Sequence, residues 1–75
     1  MDYMNFKAGD TFKVMGYNCG HIAKNRLLSM GIRIGSIIKI KYTQPIKGPI
    51  TIKVGVSEYS IGRGLINKII LEKME

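Results

Sequence analysis

Few residues in this chain of 75 could do chemistry. Cys19 and His21 are its single cysteine and single histidine. A thiol beside an imidazole can make a nucleophile and its base. Two residues apart in a turn, however, the pair seldom takes that geometry. The acids are Asp2, Asp10, Glu58, Glu72 and Glu75, so no carboxylate pair sits mid-chain to serve as acid and base. The chain is therefore expected not to be an enzyme. Cys19-x-His21 also offers two soft metal donors, with the Met15 thioether nearby. Zinc takes four protein ligands, or three and a water. Within one chain the donor set falls short, so no bound metal and no cofactor are expected. A transition-metal carrier using Cys19 and His21, with the site shared between two chains, is the alternative. Gly62-x-Gly64 has the look of a phosphate-loop fragment but lacks the Gly-Lys-Ser/Thr end. It is read as a glycine turn, and no nucleotide is expected.

Charge is the second signal. The formal net charge is +7. No Asp or Glu lies between Thr11 and Ser57, while Lys13, Lys24, Arg26, Arg33, Lys39, Lys41, Lys47 and Lys53 all do. Such a field attracts nucleic acid, anionic lipid or an acidic protein surface. Single-strand binders interleave cations with exposed aromatics. Here only Tyr17 and Tyr59 could serve as platforms, because Tyr42 shares the face of Ile38 and Ile40 and is expected inward. A solvated basic face is the simpler reading, and nucleic acid is not expected as a partner.

Seventy-five residues make one domain, 1–75, with a marginal core. A lone cysteine excludes an intramolecular disulfide, which fits a reducing cytoplasm. Met1 to Lys7 lacks the apolar stretch of a signal peptide, and no run approaches a membrane span.

The elements that must position these residues follow from periodicity. Thr11 to Tyr17 alternates, with Phe12 and Val14 inward. His21 to Met30 reads as a helix with Ala23, Leu27 and Met30 on the core side. Gly31 supplies the positive φ of a helix stop. Gly35 then opens a strand from Ser36 to Tyr42. Gln44 to Pro49 is a proline-bearing loop. Ile50 to Val54 and Ser57 to Ile61 are strands joined through Gly55, where a tight bend or bulge is expected. Gly62 to Ile66 is a brief turn, a single 3₁₀ turn at most. Ile69 to Leu71 is the last strand, followed by a polar tail, Glu72 to Glu75. The fold expected is mostly β: a small barrel of about five strands with one inserted α-helix. Leu28 falls off the core stripe between Arg26 and the glycine joint. With Lys24, Arg26 and Arg33 it could form an apolar contact anchor with a basic rim.

The pattern Arg26-Leu27-x-x-Met30-Gly31-Ile32-x-x-Gly35 resembles the hallmark of the ferrous-iron transport protein A (FeoA) family. The resemblance continues through Ile38-x-Ile40, Pro45, Gly48-Pro49-Ile50, Arg63 and Ile69-x-Leu71, and covers nearly the whole chain. Ile34 stands where these proteins often place proline, and Ile66 where alanine is common. The resemblance implies an SH3-like β-barrel in the cytoplasm. It implies a small accessory or regulatory protein that contacts the ferrous-iron permease (FeoB), whose cytoplasmic part binds GTP. Such a protein would not insert in the membrane itself, but its partner could recruit it to the inner face. Leu27, Met30, Gly31, Ile32, Gly35, Gly48 and Pro49 are then fold determinants. Lys24, Arg26, Leu28 and Arg33 are the candidate partner-binding residues. A nucleic-acid-binding or metal-dependent-repressor-type SH3-like module is the other alternative.

Overall fold

The computed structural model describes residues 6–43 and 48–74. Along them run β1 (Thr11–Tyr17), α1 (His21–Ser29), β2 (Ile37–Tyr42), β3 (Ile50–Val54), β4 (Ser57–Ile61), α2 (Arg63–Ile66) and β5 (Ile69–Met74). The strands form one antiparallel sheet in the order β4-β3-β2-β1-β5. β2, β3 and β4 meander. α2 then carries the chain across, so that β5 pairs with the far side of β1. Gly48 and Pro49 lead into β3 without regular structure, and the rest of the expected loop, Gln44 to Lys47, lies outside the described residues.

The core is built from alternate strand residues, which share one sheet face because strand side chains repeat every second position. Phe12, Val14, Ile38, Ile40, Ile50, Ile52, Ile61 and Ile69 are buried there, and Leu27, Ile32 and Ile66 close the cluster from outside the sheet. Phe6 packs edge-on to Phe12 with ring centroids 5.4 Å apart. Bulges between Val14 and Gly16 and between Ile40 and Tyr42 interrupt the ladders. Each extra residue bends its strand and increases its twist, which lets so short a sheet wrap a core.

The second bulge overturns one expectation. Ile40 pairs with Ile52 and Tyr42 pairs with Thr51, so two steps on β2 match one on β3. The extra residue, Lys41, reverses the alternation. Tyr42 is therefore not inward with Ile38 and Ile40 but 62% exposed. Three further differences have local causes. The expected polar tail is strand: Glu72, Lys73 and Met74 pair with Lys13, Phe12 and Thr11. Their polarity reflects a sheet edge, not the end of the fold. The turn after Gly62 is one α-helical turn, because the Ile66 and Asn67 amides donate to the Gly62 and Arg63 carbonyls four residues back. Ser36 precedes β2 rather than opening it, because its side chain is occupied elsewhere.

That occupation belongs to the joint between α1 and β2. α1 has few resources of its own. Gly20 caps its start without a side-chain bond, and Leu27 is its one fully buried residue. Ala23 and Met30 are only half-buried. The helix ends in a Schellman motif. The Gly31 amide donates to the Leu28 carbonyl at 2.9 Å and the Ile32 amide to the Leu27 carbonyl at 3.0 Å. Gly31 takes φ +79°, the left-handed value this requires. The chain then crosses to β2 with its polar backbone satisfied piece by piece. Ser36 Oγ donates to the Gly31 carbonyl and accepts from the Arg33 amide. Tyr17 Oη donates to the Ile32 carbonyl at 2.6 Å. The Gly35 amide and Ser36 carbonyl both bond to Val14 in β1, with Gly35 at φ +95°.

Two glycine substitutions separate conformation from space. A Cβ on Gly31 would meet only Val54 at 3.8 Å, an ordinary contact, so strain comes from φ alone. Gly31→Ala should lower stability by about 1–2 kcal/mol. Gly64, inside α2 with open space around it, should gain about 0.5 kcal/mol as Gly64→Ala. Urea unfolding measures both.

Candidate partner-binding groove

An open groove of about 550 Å³ lies where the end of α1 meets the β3–β4 hairpin. Leu28, Met30 and Gly31 form one wall, Arg33, Ser36 and Ile37 the floor end, and Val54 to Ser57 with Tyr59 the other wall. Each wall is fixed by local chemistry. The step of about 100° between successive helical residues turns Leu28 outward while Leu27 turns in. The two-residue hairpin Gly55–Val56, with Gly55 at φ +63°, projects Val56 into solvent. Leu28 is 38% exposed, Ile37 44% and Val56 96%. Arg33 is the one charged residue lining the groove, and no acid lines it. A groove of mixed polarity, with apolar patches at Leu28, Ile37, Val54 and Val56 and a single cation at Arg33, suits an aliphatic side chain next to a carboxylate, since a guanidinium pairs carboxylates with strong, directional hydrogen bonds.

The structure divides the four expected contact residues. Leu28 and Arg33 share this groove. Arg26 instead lines a second cavity with His21, Ile22, Ala23, Leu65 and Lys68. Lys24 lines neither described cavity and places its ammonium 5.6 Å from the centre of the Tyr17 ring. Val56 and Ile37, which the sequence reading passed over, join Leu28. An aliphatic residue after glycine in a two-residue hairpin was the signal for Val56. Ile37 was visible as the outward apolar residue between Ser36 and Lys39.

Cys19 and His21 part company as well. Cys19 packs half-buried against the core, whereas His21 is exposed on the first turn of α1. Among the described residues no group of three His, Cys, Asp or Glu is placed to hold a metal ion. Gly62 caps the single turn of α2 and Gly64 lies within it, and the Gly62 carbonyl accepts from that turn. Tyr17 and Tyr59, the two residues that could serve as aromatic platforms, are not free faces. Tyr17 is held by its hydroxyl bond and by Lys24, and Tyr59 packs against the core. Tyr42 is the exposed aromatic among the described residues.

Folding also redistributes charge. The edge strands return acids to the basic middle of the sheet. Glu58 lies opposite Lys53 and 4.0 Å from Lys41, Glu72 lies opposite Lys13, and Asp10 lies 3.8 Å from Lys73. Pairs this long and at least partly open to solvent contribute little stability. They do soften the basic field over the strands, while Arg33, Arg26 and Lys24 keep theirs at the helix. No helix among the described residues is long and apolar enough to cross a membrane.

Five antiparallel strands bent round one core, with a helix inserted after the first, place the molecule among small SH3-like barrels. A Stenotrophomonas maltophilia FeoA complexed with zinc, named as a procaryotic SH3 domain protein, superposes with a TM-score of 0.76 at 14% identity, over 88% of this chain and 82% of that one. The FeoA domain model matches residues 4–73, and the chain belongs to the FeoA family, accessory proteins of ferrous-iron transport. A Methanocaldococcus jannaschii protein named for Fe(2+) transport protein A is 42% identical over 69 residues, which are 92% of this chain and 82% of that protein. A crystal structure of an iron uptake regulatory protein (FeoA) matches with a TM-score of 0.83 and 33% identity, covering 92% of this chain and 89% of its own.

Two measurements follow from the site. Tyr17→Phe removes a part-buried hydrogen bond and should cost about 1 kcal/mol in denaturant unfolding. In calorimetric titration with Zn²⁺ or Fe²⁺, Cys19→Ser should behave as the parent does, because Cys19 and His21 are not joined by a third ligand in the described chain.

Proposed function

We propose that this chain is a non-catalytic accessory protein of ferrous-iron uptake that works by contact with the iron permease, at the permease's cytoplasmic GTP-binding part. It acts in the cytoplasm and reaches the inner face of the membrane through that partner. The FeoA-family match over residues 4–73 carries the system in which it works. The groove beside Leu28 supports the mode of action: exposed aliphatic side chains among polar groups with one cation, set on a hydrogen-bonded joint, suit contact with a protein surface.

The contact is expected to use Leu28 and Arg33 directly. Arg26 and Lys24, elsewhere on α1, contribute through their field to the rate of encounter more than to the lifetime of the complex. Calorimetry with the permease's cytoplasmic domain, with and without guanine nucleotide, tests this. Leu28→Asp should weaken binding by at least about tenfold, as the loss of an anchor does. Arg26→Glu should slow association and flatten its salt dependence. Absence of binding to the unmodified chain under both nucleotide conditions would reject the reading.

A further inference from the structure

We propose that the groove receives an extended, acid-bearing segment of a partner protein, added as a sixth strand along the open edge of β4. An aliphatic side chain of that segment would lie between Leu28 and Val56, and a carboxylate would meet Arg33. The proposal deepens the docking reading above and rests on it for the premise that the chain works by protein contact.

Three observations converge. First, β4 is the last strand of the sheet order, with β3 as its one neighbour. The hairpin joining them has two residues, and its closing pair is Val54 with Ser57. In such a hairpin the closing residues exchange both backbone bonds, and the alternation continues along the strand. Ser57, Tyr59 and Ile61 therefore bond to β3, and Glu58 and Ser60 turn their amides and carbonyls outward. No backbone group among the described residues outside the sheet bonds to either. Second, the groove opens at the hairpin end of β4, where Ser57 and Tyr59 line it, and the edge-facing Glu58 and Ser60 are their chain neighbours without lining it themselves. A strand added there has both a row of backbone partners and a pocket for alternate side chains, the two requirements of recognition by strand addition. Third, the lining selects the side chains. Leu28, Ile37, Val54 and Val56 offer apolar surface, Arg33 is the one charge, and no acid is present to repel a carboxylate. The acid of β4 itself, Glu58, is drawn to Lys41 at 4.0 Å.

Selection of displayed random peptides on the immobilised chain tests the proposal without the permease. Enriched peptides should carry an aliphatic residue and an Asp or Glu on alternate positions. One such peptide, synthesised and titrated into nitrogen-15-labelled chain, should shift the amides of Arg33 and of Val56 to Ser60 and leave those of Lys13 and Lys39 in place. Val56→Asp at the exposed hairpin tip and Arg33→Glu should each weaken the peptide by about tenfold or more. Ser60→Pro should abolish binding, since it removes an outward amide without touching the β3 ladder. Should that variant melt early, the first two carry the test. No enrichment, shifts confined to the outer face of β1 and β2, or equal binding by Val56→Asp and Arg33→Glu would overturn the proposal. If the peptide arm fails while the permease domain still binds by calorimetry, the edge of β4 is rejected and the functional reading stands. If both fail, both are rejected.

Discussion

The carbonyl of Leu27 holds the architecture together. It accepts from Met30 and Ile32 at 3.1 and 3.0 Å, while the Leu27 and Ile32 side chains on either side of the turn are both buried. One residue thus ends the helix, reverses the chain and inserts the apolar clasp that fixes α1 to the sheet. A helix of nine residues has too few turns to be stable alone. With a single fully buried side chain, α1 depends on this clasp more than on an apolar stripe. Both proposed contact residues are referred to it: Leu28 faces out as Leu27 faces in, and the Arg33 amide is held by the Ser36 hydroxyl.

The joint was legible as a pair of glycines and illegible as a network. Gly31 announces a positive φ by its place just past the helix, and Gly35, read as opening the strand, adopts one as well. The partners that make the crossing rigid come from distant chain positions. Tyr17 reaches it from the end of β1, and Val14 supplies both of its free backbone groups. Nothing local distinguishes a tyrosine that hydrogen-bonds a loop from one that awaits a base, so Tyr17 was weighed as a platform. Alternation failed in the same way at Tyr42, where one inserted residue on β2 inverts every later side chain. A bulge is a property of two paired strands, and a single strand does not display it. The last strand was cut short for a related reason. Glu72 and Lys73 are polar because they occupy an edge, and only the pairing with β1 makes them part of the sheet.

The proposed contact face shows the same division. That Leu28 and Arg33 lie near each other was legible from helical phase and the glycine stop, both local. Val56 and Ile37 complete the groove through the meander, which brings residues some twenty positions apart to one rim. Arg26 shares a helix with Leu28 but lines another cavity, since two residues on a helix are about 200° apart. Charge behaved similarly. The acids that cluster toward the chain ends are carried by β4 and β5 back to the lysines of β1 and β3. Antiparallel pairing thus turns an uneven sequence into a mixed surface.

The bond from Tyr17 to the Ile32 carbonyl ties the last residue of β1 to the clasp itself. α1 ends on its own local bonds, and Tyr17 then fastens that end to β1. Opening the stretch between Tyr17 and Ile37 would break bonds to both the helix end and Val14, so its parts are coupled. The hairpin tip at Val56 and the outermost strands β4 and β5 are tied on one side only, and a change of partner there leaves this joint untouched.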